Sequence, residues 1–199
     1  MIVIIDYGMG NLRSVQKAFE YIGLSARITN EISDIRSAER IVLPGVGAFK
    51  DAMNMLKDKE LTGAIFDAIE ADKPFLGICL GMQLLLETGY EDGIYRGLGV
   101  IPGEVVKFSE TELKVPHIGW NQIIPANDSR YLRDLPDDNV YFVHSYYCNT
   151  DSGYIDAKTS YGTEFAAAIR YNNVFATQFH PEKSGDTGIE ILKRFGGFI

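Results

Sequence analysis

Pro74-Phe75-Leu76-Gly77-Ile78-Cys79-Leu80-Gly81-Met82-Gln83-Leu84-Leu85-Leu86-Glu87 is the stretch on which the fold turns. A proline leads into a short apolar run, which reads as a buried parallel strand. Residues 82–87 are good helix formers and predict a helix. Between them, Gly77-x-Cys79-x-Gly81 has the form of a nucleophile elbow with cysteine in place of serine. Such an elbow needs small flanking residues, because the strand must bend sharply into the helix and leave the nucleophile exposed. A cysteine there also sits at a helix N-terminus, where unpaired N–H groups and the macrodipole favour thiolate. The bland reading of Cys79 is a small buried hydrophobe, so the rest of the chain has to supply a base and an oxyanion site.

Outward from the elbow, the first half alternates strand and helix. Ile2–Ile5 is a β-branched run, hence a central strand. Leu12, Val15, Phe19 and Ile22 recur at helical spacing and Gly23 ends that helix. Ala26–Thr29 reads as a second strand and Arg40-Ile41-Val42-Leu43 as a third; residues 51–56 and 61–71 read as helices. This alternation predicts an α/β fold with a doubly wound, mostly parallel central sheet flanked by helices, and a site at the carboxyl ends of the strands. Gly8-x-Gly10 invites a dinucleotide reading, but Arg13 stands where a third glycine would allow close helix–strand packing, which argues against it. The third strand runs into Pro44-Gly45-Val46-Gly47. A plain turn is one reading; the other is a set of backbone N–H groups aimed into a cleft, from Val46 or Gly47, suited to an oxyanion.

Downstream, residues 88–103 are rich in glycine and read as loop, as does Pro116-His117-Ile118-Gly119-Trp120-Asn121. Residues 104–108, 140–147, 154–159, 165–170 and 174–179 read as strands, the later ones as a smaller antiparallel layer, and Ile189, Ile191, Leu192 and Phe195 mark a closing helix. There is no repeat or linker, so residues 1–199 are expected to form one domain.

With 199 residues, 46% hydrophobic and 23% charged, the composition is that of a globular chain with a real core. A net charge of -8 argues against nucleic acid as a partner. No apolar stretch is long enough to span a membrane, and the N-terminus reads as a strand rather than a signal peptide. The two cysteines, Cys79 and Cys148, do not look like a secreted disulfide framework, which points to a reducing, cytoplasmic compartment. No metal-ligand spacing is visible, and no cofactor is expected.

Three histidines limit the choice of base. His144 lies in an alternating strand and reads as core or site-lining; His117 lies near the tryptophan. His180 follows a strand end directly, in Gln178-Phe179-His180-Pro181-Glu182-Lys183, where α/β sheets place catalytic groups. Glu182 can fold back to orient the imidazole and stabilise its charged form. A surface His–Glu pair is the plain alternative. With the elbow, the set becomes nucleophile Cys79, base His180 and orienter Glu182, with oxyanion donors from the Leu80 N–H and from Val46 or Gly47.

At this point the residues resemble a known family. Gly77-Ile78-Cys79-Leu80-Gly81-Met82-Gln83 with Phe179-His180-Pro181-Glu182 resembles the class I, triad-type glutamine amidotransferases. Asp6-Tyr7-Gly8-Met9-Gly10-Asn11-Leu12, the 43–47 turn and the 116–121 stretch look like the branch that serves as glutaminase subunits of imidazole glycerol phosphate synthases. The resemblance implies hydrolysis of glutamine to glutamate and ammonia through a cysteine thioester. It implies glutamine contacts at Gln83, Glu91 and the backbone of Ser145 and Tyr146. It also implies a heterodimer with a (β/α)₈-barrel cyclase that uses the ammonia in histidine biosynthesis, with Asn11, Trp120 and Lys183 at or near the interface. The alternatives are the glutaminase of another amidotransferase such as anthranilate synthase, a non-catalytic regulatory module of the same fold, and a cysteine peptidase.

Overall fold

The computed structural model describes residues 1–108, 113–135 and 137–198. Its backbone is an eight-stranded mixed sheet. Five strands run parallel, in the order β2 (Ala26–Thr29), β1 (Ile2–Ile5), β3 (Arg40–Gly45), β4 (Phe75–Cys79) and β14 (Val174–Thr177). Three antiparallel strands extend the same sheet: β13 (Thr163–Tyr171), β12 (Ile155–Tyr161) and β9 (Ile124–Pro125).

The apolar strands are buried on both faces. Val3 and Ile5 join one core cluster; Ile2 and Ile4, pointing the opposite way, join the other. Helices α2 (Ile32–Ser37), α3 (Phe49–Asp58) and α4 (Leu61–Glu70) cover the first face through Ile35, Leu56 and Ile65. Helices α1 (Leu12–Tyr21) and α6 (Gly185–Gly196) cover the second through Phe19, Leu192 and Phe195. Each fully buried Ile, Leu or Phe contributes about 1.5–3 kcal/mol, so this two-sided burial is what holds the layers together. The α1 helix stops where expected, because Gly23 takes φ +81, which a side chain would resist.

Four readings of the sequence need correction. The helix expected over residues 82–87 is a single short turn, α5 (Leu80–Gln83), followed by a strand, β5 (Leu86–Gly89). The carbonyls of Leu84, Leu85, Leu86 and Glu87 accept from N–H groups of residues 97–101 instead of from their own helix. A Cβ on Gly97 would lie 2.1 Å from the Leu86 oxygen, so glycine is what lets that segment close over the leucines. The glycine-rich 88–103 segment is thus partly ordered, into β5, β6 (Tyr95–Arg96) and the start of β7 (Ile101–Lys107). Residues 117–122 form a strand, β8 (His117–Gln122), paired antiparallel with β10 (Asn139–His144). Gly119 takes φ +136 within β8, and the pairing with β10 runs through it unbroken. The antiparallel strands β12 and β13 extend the central sheet rather than forming a separate layer. The smaller sheets are β10–β8 and a four-stranded one ordered β11 (Tyr146–Asn149), β7, β5, β6.

Candidate active site

The site is assembled at the ends of three neighbouring parallel strands. Gly45 at the end of β3 lies level with Cys79 at the end of β4, and Thr177 at the end of β14 lies level with Ile78. The chain past β14 then brings Gln178 and His180 beside the cysteine, although they are a hundred residues away in sequence.

Cys79 stands at φ 54, ψ −109, a backbone state that non-glycine residues resist and that recurs at functional turns. The two flanking glycines have separate jobs. A Cβ on Gly81 would sit 1.8 Å from the Leu43 carbonyl oxygen, so glycine lets α5 press onto β3. A Cβ on Gly77 would meet Ala176 at 2.9 Å and the Gly81 oxygen at 3.0 Å, so glycine lets the turn fold back over its own strand. Gly45 is equally confined, by the Tyr7 hydroxyl at 2.5 Å.

His180 donates from Nδ1 to Glu182 Oε1 at 2.8 Å, and both side chains are buried. Its backbone is pinned as well: its N–H donates to the Tyr141 carbonyl, and its carbonyl accepts from Ser184 Oγ at 2.7 Å. Glu182 Oε2 has no other partner among the described residues, so a positive imidazole is the compensation this buried carboxylate needs. Burial alone would lower the His180 pKa; hydrogen bonding to Cys79 and Glu182, and then their charges, outweigh it and push it up to about 10. The contacts on the ring thus favour its charged form.

Besides His180, the Cys79 sulfur has two further neighbours. Gln178 Nε2 donates to Sγ at 3.7 Å, and Sγ lies 3.9 Å from the Val143 carbonyl. His180 Nε2 is buried and makes no well-aligned hydrogen bond among the described residues, although Cys79 lies near enough to act on the ring through both hydrogen bonding and charge. Catalytic contacts are often slack before substrate arrives.

Cys79, His180, Leu80, Val46, Gly47, Gln83, Glu91, Ser145 and Tyr146 line one cavity of about 240 Å³. Every residue expected to bind substrate or oxyanion is thus on its wall, and Glu182 sits behind His180. Val46 is 41% exposed and Gly47 takes φ +99, so the turn after β3 opens to the cavity. Gln83 is buried and donates to the Tyr146 carbonyl at 2.9 Å and to Gln178 Oε1 at 3.1 Å. Glu91 accepts from the Phe49 N–H at 2.7 Å, at the start of α3, which fixes one of its oxygens. His144 proves to be both core and cavity wall. The cysteines are free, and Cys148 is buried away from solvent.

Sequence reasoning missed Gln178 and the Val143 carbonyl, the direct neighbours of the sulfur. The signal for Gln178 was a large polar residue directly after a mostly apolar strand, two places before His180; in the fold it is fully buried. Of the expected interface residues, Trp120 is 58% exposed and stacks edge-on with Tyr141, whose other neighbour is the Lys183 ammonium at 5.8 Å from the ring. Asn11 stands at the start of α1, which packs beside the turn carrying Lys183. No described helix is long and apolar enough to cross a membrane.

The geometry can be set beside known proteins. The family described as Glutamine amidotransferase class-I matches residues 3–196. The imidazole glycerol phosphate synthase subunit HisH of Geobacter sulfurreducens is 52% identical over 203 residues, covering 98% of this chain and 97% of that one. Its counterpart in Carboxydothermus hydrogenoformans is 50% identical over 194 residues, 97% of each. The structure of PurLQS from Thermotoga maritima aligns with a TM-score of 0.78 at 18% identity, over 99% of this chain and 97% of that one, a likeness of fold. With a family match from end to end and half of all residues shared with HisH subunits, the chain belongs to the class I glutamine amidotransferases, in the branch of the imidazole glycerol phosphate synthase subunit HisH.

Proposed function

We propose that this glutaminase works through Cys79, His180 and Glu182 and delivers its ammonia to a (β/α)₈-barrel cyclase, for synthesis of imidazole glycerol phosphate and an aminoimidazole carboxamide ribotide in histidine biosynthesis. The observation that carries the reading is the meeting, on one cavity, of a strained cysteine and a buried His180–Glu182 pair.

The Cys79 sulfur attacks the side-chain amide carbon of glutamine, forming the C–S bond while the C=O electrons move onto oxygen. The Leu80 N–H and one from Val46 or Gly47 receive that oxyanion; each such donor is worth about 3–4 kcal/mol in the transition state. The His180 imidazolium gives its Nε2 proton to the departing nitrogen, and ammonia leaves. Neutral His180 then takes a proton from water, whose oxygen attacks the thioester carbon. Collapse of that second oxyanion breaks the C–S bond, releases glutamate and restores the thiolate–imidazolium pair. Gln178, donating to sulfur, steadies the thiolate between steps.

Glutamine's α-groups dock on Gln83, the free oxygen of Glu91 and the backbone of Ser145 and Tyr146; a carboxylate suits the substrate ammonium. Asn11, Trp120 and Lys183 lie at the docking face for the cyclase, and Lys183 directly follows the triad acid, so docking is felt at the site. The chain works as a single domain in the cytoplasm. The test is glutamate release from glutamine with and without a barrel cyclase and its ligand. Low activity alone and a large rise in the complex support the reading, and a rate indifferent to both rejects it.

A further inference from the structure

Two buried histidines have no part in the mechanism above. His117 opens β8 and His144 closes β10, opposite one another in the ladder. Their protons can be assigned one at a time. His144 Nδ1 lies 2.8 Å from the Tyr146 backbone oxygen, which only accepts, so Nδ1 carries the hydrogen. Burial pushes the His144 pKa down to about 3, so the ring is neutral and Nε2 accepts. The atom facing Nε2 is His117 Nδ1 at 3.0 Å, which must donate. Burial lowers His117 to about 4, leaving its Nε2 to accept from Asn121 Nδ2 at 3.3 Å. The Asn121 amide is fixed in that sense, since Nδ2 also donates to the Ser160 carbonyl and Oδ1 accepts the Gln122 N–H. The His117 ring is stacked between Tyr161 at 4.1 Å and Phe142 at 4.8 Å, so it cannot turn without opening both stacks.

The chain therefore runs one way, from Asn121 through His117 and His144 to Tyr146. It ends on a carbonyl of the cavity wall, which also accepts from Gln83. Ser145, just before it, falls between β10 and β11; its carbonyl accepts from the Phe108 N–H at 3.2 Å, and the His144 ring holds the carbonyl that follows. We infer that His144 and His117 are positioning residues, whose one-way hydrogen-bond chain holds the Ser145–Tyr146 backbone where glutamine's α-groups dock. The inference rests on the glutaminase reading above. A pair that merely filled space would be replaceable by phenylalanine, because His144 is already ringed by Phe108, Phe142 and Phe165 at 5.2–5.6 Å.

The experiment combines glutamine kinetics, in the complex with the cyclase and its ligand, with ring ¹⁵N NMR of the chain at pH 7. His144→Phe is expected to raise KM for glutamine about tenfold, with a much smaller change in kcat. His144→Asn, whose amide nitrogen can take the place of Nδ1, is expected to recover most of that loss. In the wild type both rings are expected as Nδ1–H tautomers. An unchanged KM in His144→Phe, no recovery in His144→Asn, or an Nε2–H tautomer on either ring overturns the proposal. Should His144→Phe fail to fold, the wild-type ring spectra and the Asn variant decide. A wild-type complex that consumes no glutamine overturns the glutaminase reading itself, and this proposal falls with it.

Discussion

Cys79 is kept in a backbone state that costs about 1–3 kcal/mol because the two glycines beside it leave the elbow no roomier alternative. Removing its sulfur removes the bond-forming atom, so Cys79→Ala is expected to abolish turnover, by at least about 10⁴-fold, in a glutaminase assay of the complex. Glu182→Gln leaves the nucleophile in place but loses the charge that supports the imidazolium, so a smaller loss of about 10²–10⁴-fold is expected. Equal, complete losses would mean that Glu182 does more than orient. The histidines also set the response of stability to pH. His180 is raised from 6.5 to about 10 on folding. Its contribution is fully present below pH 6.5 and is lost as pH rises through about 10. The gap in Tm between wild type and His180→Asn should therefore narrow from pH 6 to pH 10.5. His117 and His144 act with the opposite sign. Their folded pKa values are depressed to about 4 and 3, so their contribution is present above pH 6.5 and lost as pH falls through those values. Thermal melts between pH 7 and pH 3 should show that acid limb.

The elbow is decided by close packing between elements. Gly81 lets α5 lie against β3, and any side chain there must displace a strand carbonyl that the central sheet holds in place. Gly81→Ala is expected to cost about 3 kcal/mol or more in a denaturant titration and to remove activity, since the sulfur moves with the turn. The same packing explains the truncated helix. Leucine at 84, 85 and 86 favours helix locally, yet all three are fully buried, and pairing of 84–87 with 97–101 satisfies their backbone while covering them. Burial on every side outweighs helix propensity, which is worth well under 1 kcal/mol per residue.

Across the molecule, the sheet places the Val46–Gly47 turn, Cys79 and His180 at the ends of three adjacent parallel strands, while the Trp120–Tyr141–Lys183 group stands on the surface beside His180. An exposed tryptophan edge-on to a tyrosine and next to a cation has the composition of an interface anchor. Trp120→Ala is expected to weaken association with the cyclase by about 2 kcal/mol, roughly thirtyfold in Kd, while leaving the Tm of the free chain nearly unchanged. Titration calorimetry and thermal melts measure the two quantities. An unaltered Kd would remove Trp120 from the docking face.

The α/β class, the elbow, the His180–Glu182 pair and the glycine turn after β3 are all legible along the chain, because each is written in a few consecutive residues. Alternation of apolar runs marks strands buried on two faces, glycines mark backbone that must come close, and a histidine with an acid two places on marks a local pair. Four things wait on the folded chain: the strand where leucines favour helix, the strand in a proline- and glycine-bearing stretch, the amide of Gln178 on the sulfur, and the proton order from Asn121 to Tyr146. Each depends on a partner distant in sequence, on β7, β10, β4 or β12, that supplies the missing hydrogen bond or covers the apolar surface. Local propensity is a fraction of a kcal/mol per residue, whereas an unpaired buried polar group costs about 1–3 kcal/mol. Contacts made across the fold therefore overrule the local preference wherever the two disagree.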